Sequence, residues 1–398
     1  VSAIDPADLP ALAVGSFEHP TARRLSQARR ASRAHFAALG VLGGAWGVHI
    51  PSVKAQYGLG EGSLSLVLFA AACGAVLSLF FAGRAIGRFG VRRALVLGAL
   101  VMAASLAAVL QWPSLPWLLP SMLLFGAAMS LYDVALNAEG TALESVSGRA
   151  IMGNLHGMFS VGGMVGAALA ALLLRLEIAP PLQLAVISAA VVAVVLFAAR
   201  FMLDAHPQDE AASGQAHFAW PRGRLLVIGL LIFAGMTAEG VMYDWSVLYL
   251  KQELGMAQAQ AGIGFAVFSA AMAAARFGGD ALRARVPEPA LLRGGALVAG
   301  IAMAALLLIG HPWVALVGYA FVGVGLALVV PILFNAATRV PGVSRAAAIA
   351  SVSSIGYSGF LVGPPLIGSV AQAASLTAAL SLVVVAMSAL ALGARRIA

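Results

Sequence analysis

Gly83-Arg-Ala-Ile-Gly87-Arg88-Phe-Gly90-Val-Arg92-Arg93 packs four arginines into eleven residues between two apolar runs, residues 61–83 and 94–111. A helix needs about 20 apolar residues to cross a hydrocarbon layer, and each flanking run is near that length. Four cations with no acid among them cannot lie inside that layer, so they mark a short turn at one membrane face.

The same pattern continues in both directions. Apolar stretches occur near residues 34–57, 61–83, 94–111, 117–139, 150–174 and 182–203. Six more occur near 224–250, 257–282, 290–309, 312–337, 345–370 and 374–394. Composition agrees with twelve spans. Hydrophobic residues make up 61% of the 398, charged residues only 10%, and mean hydropathy is +0.95. So few charges cannot clothe a soluble surface, which excludes a soluble globular, disordered or collagenous chain. The single cysteine, Cys73, lies in an apolar run and reads as a small buried hydrophobe.

Orientation follows from the basic residues. Threading the chain through twelve spans puts twenty-one arginines on one side and only Lys54, Arg175 and Lys251 on the other. The positive-inside rule makes the arginine-rich side cytoplasmic, with both termini there. The net charge of +8 is thereby used up by topology, and a nucleic-acid partner is not expected. Residues 1–33 read as a solvated cytoplasmic tail and 204–223 as a cytoplasmic linker. Residues 34–203 and 224–394 read as two six-helix bundles, and 395–398 as a short tail.

The two bundles repeat one another. Lys54-Ala-Gln-Tyr-Gly58-Leu59 is echoed by Lys251-Gln-Glu-Leu-Gly255-Met256. Val134-Ala-Leu-Asn137-Ala138 is echoed by Ile332-Leu-Phe-Asn335-Ala336, and Val146-Ser-Gly-Arg149-Ala150 by Val343-Ser-Arg345-Ala346. Three echoes at nearly one offset indicate a six-helix unit present twice. The fold class expected is an all-α membrane protein of twelve helices in two pseudo-repeats.

That architecture resembles the major facilitator superfamily, and the resemblance reaches individual motifs. The stretch Gly83–Arg93 is similar to the superfamily's loop between its second and third helices, with Gly87 standing where an aspartate is usual. Arg276-Phe-Gly-Gly279-Asp280-Ala-Leu-Arg283-Ala-Arg285 looks like a degenerate second copy that keeps the acid. Gly153, Gly157, Gly162, Gly163 and Gly166 are similar to the superfamily's glycine-rich fifth helix. Asp133-Val-Ala-Leu-Asn137, Glu239-Gly-Val-Met-Tyr243-Asp244-Trp245-Ser246 and Gly356–Pro365 resemble the MosC-like bacterial branch. The resemblance implies alternating access, with Gly83, Gly87, Arg88, Gly90, Arg92, Arg149, Asp280 and Arg345 in cytoplasmic gates. Asp280 would then sit near Arg149, and Arg345 would lack a matching acid. The bland alternative is that these arginines merely obey topology.

Charges at bilayer depth cost at least about 2.5–3.5 kcal/mol, so each needs a partner or a wet cavity. The candidates are His49, Asp133, Asn137, His156, Glu239, Asp244 and Asn335. All but His156 fall on the first, fourth, seventh and tenth spans, which line the central cavity in the superfamily. At a rise of 1.5 Å per residue, His49 and Glu239 lie about 3–5 Å to one side of the midplane. Asp133 and His156 lie roughly 7–9 Å to the other side. The expectation is one acid–imidazole pair above the midplane and one below.

Glu239, Tyr243 and Ser246 share a helical face, and Trp46 is one turn from His49. Trp46, His49, Asn137, Glu239, Tyr243, Ser246 and Asn335 are the expected solute-binding residues. Glu239, Asp133, His49 and His156 are the expected proton carriers or modulators. Asp133 and His156 have a second reading as a packing pair, and Asp244 reads as a gate or rim residue. Glu139 and Glu144 read as solvated headgroup-zone charges. Trp112, Trp117, Trp220, Trp245 and Trp313 read as interfacial anchors.

No phosphate loop, HExxH, cysteine cluster or Gly-x-Ser-x-Gly elbow is present, so neither enzyme chemistry, a metal nor a cofactor is expected. The sequence predicts a monomeric secondary active transporter of the bacterial inner membrane, driven by protons and moving a small-molecule substrate. With every arginine assigned outside mid-membrane, a neutral sugar or polyol is favoured. The alternative is a proton-coupled exporter of drugs or cationic metabolites.

Overall fold

The computed structural model describes residues 21–204, 206 and 221–396, without the side chains of Asp280, Ala346 and Arg396. Residues 1–20 of the expected tail and 207–220 of the expected linker lie outside the described residues. The first half contains α1 (Ala22–Gln56), α2 (Glu61–Phe89), α3 (Val91–Ala108), α4 (Leu115–Ser147), α5 (Met152–Arg175) and α6 (Pro180–Ala198). The second contains α7 (Arg224–Gln252), α8 (Gln258–Arg283), α9 (Glu288–Ile309), α10 (Pro312–Leu326), α11 (Val329–Ala337), α12 (Arg345–Ala373) and α13 (Leu376–Gly393). Twelve spans result, because α10 and α11 form one broken span. The break at Ala327 and Leu328 precedes Pro331, whose missing N–H would strand the carbonyl of Ala327 in a continuous helix.

α1 begins twelve residues before the expected first span. Thr21 caps it, its hydroxyl accepting from the Arg24 amide at 3.3 Å, and three polar turns then continue the apolar helix. Hydropathy marks only the apolar part of such a helix. At the arginine-rich end α2 and α3 are joined by Gly90 alone. Its φ of 83° is a conformation open to glycine and costly for other residues, which explains that glycine in the opening motif. An added Cβ at Gly83 or Gly87 would meet nothing within 4 Å.

The repeat is visible in packing. In the first half α1 packs on α5 and α6, and α4 packs on α2 and α3. In the second half α7 packs on α12 and α13, and α10 on α8 and α9, in the same order. Close approaches repeat in register too. A Cβ on Gly126 would lie 1.8 Å from the Ala71 carbonyl oxygen, and one on Gly323 would lie 2.4 Å from that of Phe268. Both members of that second pair lie 197 residues after their counterparts. The Lys54–Glu61 ion pair (2.5 Å) and the Lys251–Gln258 hydrogen bond (2.9 Å) are related by the same offset.

The halves meet through α5 on α8 and α2 on α12, a second symmetric exchange. At the arginine-poor end the seam is tight. The Gln258 amide donates to the Val48 carbonyl at 2.9 Å and to the Ser52 hydroxyl at 2.7 Å. Gly368 of α12 abuts Ser65 of α2 there. At the arginine-rich end the ion pairs Arg24–Asp204, Arg92–Asp204, Arg283–Glu288 and Arg339–Glu288 each stay within one half. Asp204 lies outside the spans, and the Arg92 guanidinium, followed by that of Arg24, holds its carboxyl below the usual carboxylate range.

Three sequence expectations fail here. Glu139 is fully buried, not solvated; its carboxylate accepts the Leu203 amide at 2.9 Å and pairs with His206. Glu144 accepts the Ile151 and Met152 amides at 2.6 and 2.9 Å, capping α5. Both follow from α4 running on to Ser147, beyond its expected end at 139. Trp245 is 1% exposed and belongs to the core, whereas Trp117 and Trp313 are 61% and 72% exposed. Trp220 lies outside the described residues.

Candidate solute site

α7 and α8 bring Glu239 and Arg276 together midway through the bundle. The Arg276 Nη2 donates to Glu239 Oε1 at 3.0 Å, and the two side chains are 11% and 12% exposed. Its Nη1 donates to Ser160 Oγ of α5 at 2.8 Å. One guanidinium therefore ties the acid of the second half to a hydroxyl of the first. Arg276 was assigned to the cytoplasmic face by its charge. That expectation fails because Arg276, about two turns inside the end of α8, turns its guanidinium to the acid of α7 and the hydroxyl of α5 and not to the membrane face. The argument that mid-membrane lacks a cation fails with it.

Tyr243, one turn from Glu239, packs against Phe265 (ring centroids 5.4 Å), Phe268 (5.9 Å) and Phe159 of the other half (6.2 Å). The polar bridge thus has an aromatic wall. His156 packs edge-on against Phe36 at 5.4 Å and stands within electrostatic reach of Arg276.

Neither expected acid–imidazole pair forms. His49 is fully buried and turned into the first half, with Nε2 3.1 Å from Gln183 Oε1 of α6 and Nδ1 3.2 Å from Ser52 Oγ. Depth matched it to Glu239, but the helical face did not. His156 likewise meets Phe36 and the Arg276 field, not Asp133. Asp133 and Asn137 share a face of α4, the Asn137 amide donating to the Asp133 carbonyl at 2.9 Å. Tyr357 of α12 lies within electrostatic reach of Asp133, so that acid faces the seam between halves.

The remaining expected residues are scattered. Trp46 packs on Phe125 of α4 at 5.6 Å and is 7% exposed. Ser246 is buried with its hydroxyl unpaired, and its carbonyl accepts from the Tyr319 hydroxyl at 3.0 Å. Asn335 sits at the arginine-rich end, donating to Glu288 Oε1 at 2.8 Å inside the Arg283–Glu288–Arg339 cluster. Among the gate candidates, Arg88 lies over the Phe89 ring, and Arg92 holds Asp204 and the Met202 carbonyl. Arg149 and Arg345 are exposed. Asp280 lies in α8, and its side chain is outside the described residues.

Asp244 lines a cavity of about 10 Å³ between α7 and α12, beside Thr237, Gly240, Phe360 and Pro364. No hydrogen bond or ion pair to its carboxyl occurs among the described residues. An ionised carboxylate so placed is costly. Asp244→Asn should leave the thermal midpoint unchanged or raise it by the equivalent of about 1 kcal/mol. A loss of similar size in a melting assay would mean that the carboxylate is engaged.

Sequence reasoning missed Arg276, Ser160 and Tyr357. Arg276 was findable, since residues 257–282 contain it within an apolar stretch. Ser160 and Tyr357 carry no signal that separates them from packing residues.

Two matched six-helix halves, joined tightly at one end and linked further in by the hydrogen bond from a buried, acid-paired Arg276 to Ser160, define a multi-pass membrane transporter. The family model of the Major Facilitator Superfamily matches residues 34–364, and the chain belongs to that family. It is 36% identical over 357 residues to an MFS-type transporter of Yersinia pestis, covering 89% of this chain and 91% of that one. It is 32% identical over 348 residues to the membrane protein MosC of Rhizobium meliloti, covering 87% and 84%. Among solved structures it resembles a D-xylose–proton symporter, with a TM-score of 0.72, 14% identity, and coverage of 94% and 97%.

Proposed function

We propose that the chain is a proton-coupled secondary transporter that moves a small, neutral polar solute by alternating access. In this reading it sits in the bacterial inner membrane with its arginine-rich end in the cytoplasm. The observation that carries the proposal is the Arg276 bridge between Glu239 and Ser160. It links the halves at the depth where superfamily substrates bind, and its charges cancel, so the site offers donors and acceptors without net charge. A hydroxyl-rich solute can replace Ser160 or share Arg276 without leaving a bare ion. That is why the neutral-solute reading stands although Arg276 is at mid-depth.

Asp133 is the proposed proton carrier, because it faces the seam and has no cationic partner among the described residues. Glu239 is the proposed coupling residue, since a proton there would release Arg276 to the solute. The tight arginine-poor seam supports reading this state as inward-facing. His49 and His156 become packing residues. The sugar-symporter likeness shows the fold alone and is compatible with this substrate class. The aromatic wall of Tyr243, Phe159, Phe265 and Phe268 beside an acid favours the second reading, export of a cationic metabolite.

The test uses proteoliposomes with an imposed pH gradient and labelled sugars, polyols and aromatic cations. Asp133→Asn should retain solute exchange while losing gradient-driven accumulation. Unchanged accumulation would remove Asp133 from coupling, and accumulation of aromatic cations alone would favour the exporter.

A further inference from the structure

A groove of about 430 Å³ runs between α3 and the end of α6, on a face remote from the Arg276 bridge. Arg92, Arg93 and Arg200 stand at its mouth, and Val96, Leu97 and Leu100 line its length. Arg92, Val96 and Leu100 are spaced by four residues, so they form one stripe along α3. The stripe runs about 12 Å from the arginine-rich end into the apolar zone. Leu97 is 52% exposed beside it.

The three guanidiniums are under-used. Arg93 and Arg200 have no hydrogen-bond or ion-pair partner among the described residues. Arg92 commits one terminal nitrogen to Asp204 and the Met202 carbonyl, while its Nε is buried without a partner. Like charges brought together repel, and the one acid nearby, Asp204, is shared by Arg92 and Arg24 and leaves Arg93 and Arg200 without a counter-charge among the described residues. Guanidiniums bind phosphate oxygens in a fork geometry, and basic pockets between helices at a membrane face hold anionic headgroups. A free phosphate would satisfy the arginines but leave the apolar stripe unused. A phospholipid satisfies both, with its phosphate at the mouth and an acyl chain along Val96, Leu97 and Leu100.

We propose that this groove is a binding site for an anionic phospholipid. Because Arg92 also holds Asp204 at the start of the linker, the lipid would sit against the segment that joins the two halves. The site is independent of the solute reading above, and its test needs no solute.

The experiment compares purified wild-type protein, the double variant Arg93→Gln/Arg200→Gln, and a charge control, Arg293→Gln on α9. Each is mixed with phosphatidylglycerol, phosphatidylcholine or soluble glycerol phosphate, then examined by native mass spectrometry and thermal melting. The expected result is retention of phosphatidylglycerol by the wild type and the control, with a midpoint raised by about 2–4 °C. The double variant should bind that lipid at least about tenfold more weakly. Equal binding by the double variant overturns the proposal. So does equal stabilisation by phosphatidylcholine, which would mean bulk solvation, or by glycerol phosphate, which would mean a free-anion site.

Discussion

Arg276→Gln is expected to destabilise the protein by about 3–5 kcal/mol, because it leaves the Glu239 carboxylate buried without its cation. The pair is 11% and 12% exposed, so water cannot replace the lost partner. Glu239→Gln should cost less, since the Arg276 guanidinium keeps Ser160 at 2.8 Å and a neutral amide acceptor at position 239. The double variant Glu239→Gln/Arg276→Gln should recover much of the loss, because no uncompensated charge remains. Thermal melting of the four proteins in one detergent gives the coupling energy directly. Additive effects would show that the two side chains do not act as a pair. Transport should divide differently. Both single variants should lose gradient-driven accumulation, and the double variant should regain stability without regaining coupling.

Span number, the two-fold repeat and the arginine-rich face were all legible, because each rests on a property of many residues. Hydropathy sums over some 20 positions, and three motif echoes fix one offset. The site was less legible because it depends on single side-chain directions. His49 and Glu239 have matched depth, yet His49 turns into α6 and bonds Gln183. Depth follows from residue number alone, whereas facing depends on helix rotation and tilt. Arg276 shows the same limit from the other side. Counting charges treats an arginine as a marker of the membrane face, but a long side chain inside a helix can reach a buried acid instead. Asn335 echoes Asn137 in sequence, yet Glu288 draws it into a surface cluster, where the first half has Gly90 and Val91 at the corresponding positions. Pseudo-symmetric sequence therefore gave symmetric packing without symmetric chemistry.

Gly162→Ala tests how closely packing and site are joined, and its expected cost is about 3 kcal/mol, the upper part of the range for overpacking. An added Cβ there would lie 2.0 Å from the Ala37 carbonyl oxygen of α1, against about 3.4 Å for ordinary contact. The obstacle is backbone, so no rotamer change relieves it. Gly40 and Gly166 are equally close to backbone oxygens across the same seam, at 2.0 and 2.2 Å. α1 and α5 must separate by about an ångström or more. α5 also carries Ser160, so that shift moves the hydroxyl away from Arg276 and weakens the bridge between halves. The control is Gly43→Ala on α1, where a Cβ meets nothing within 4 Å. It should be neutral or stabilise by up to about 1 kcal/mol through helix propensity. If Gly162→Ala melts like Gly43→Ala, α1 and α5 do not pack backbone to backbone. If it melts early yet couples normally, the site tolerates movement of α5, and the bridge to Ser160 is not what joins packing to transport.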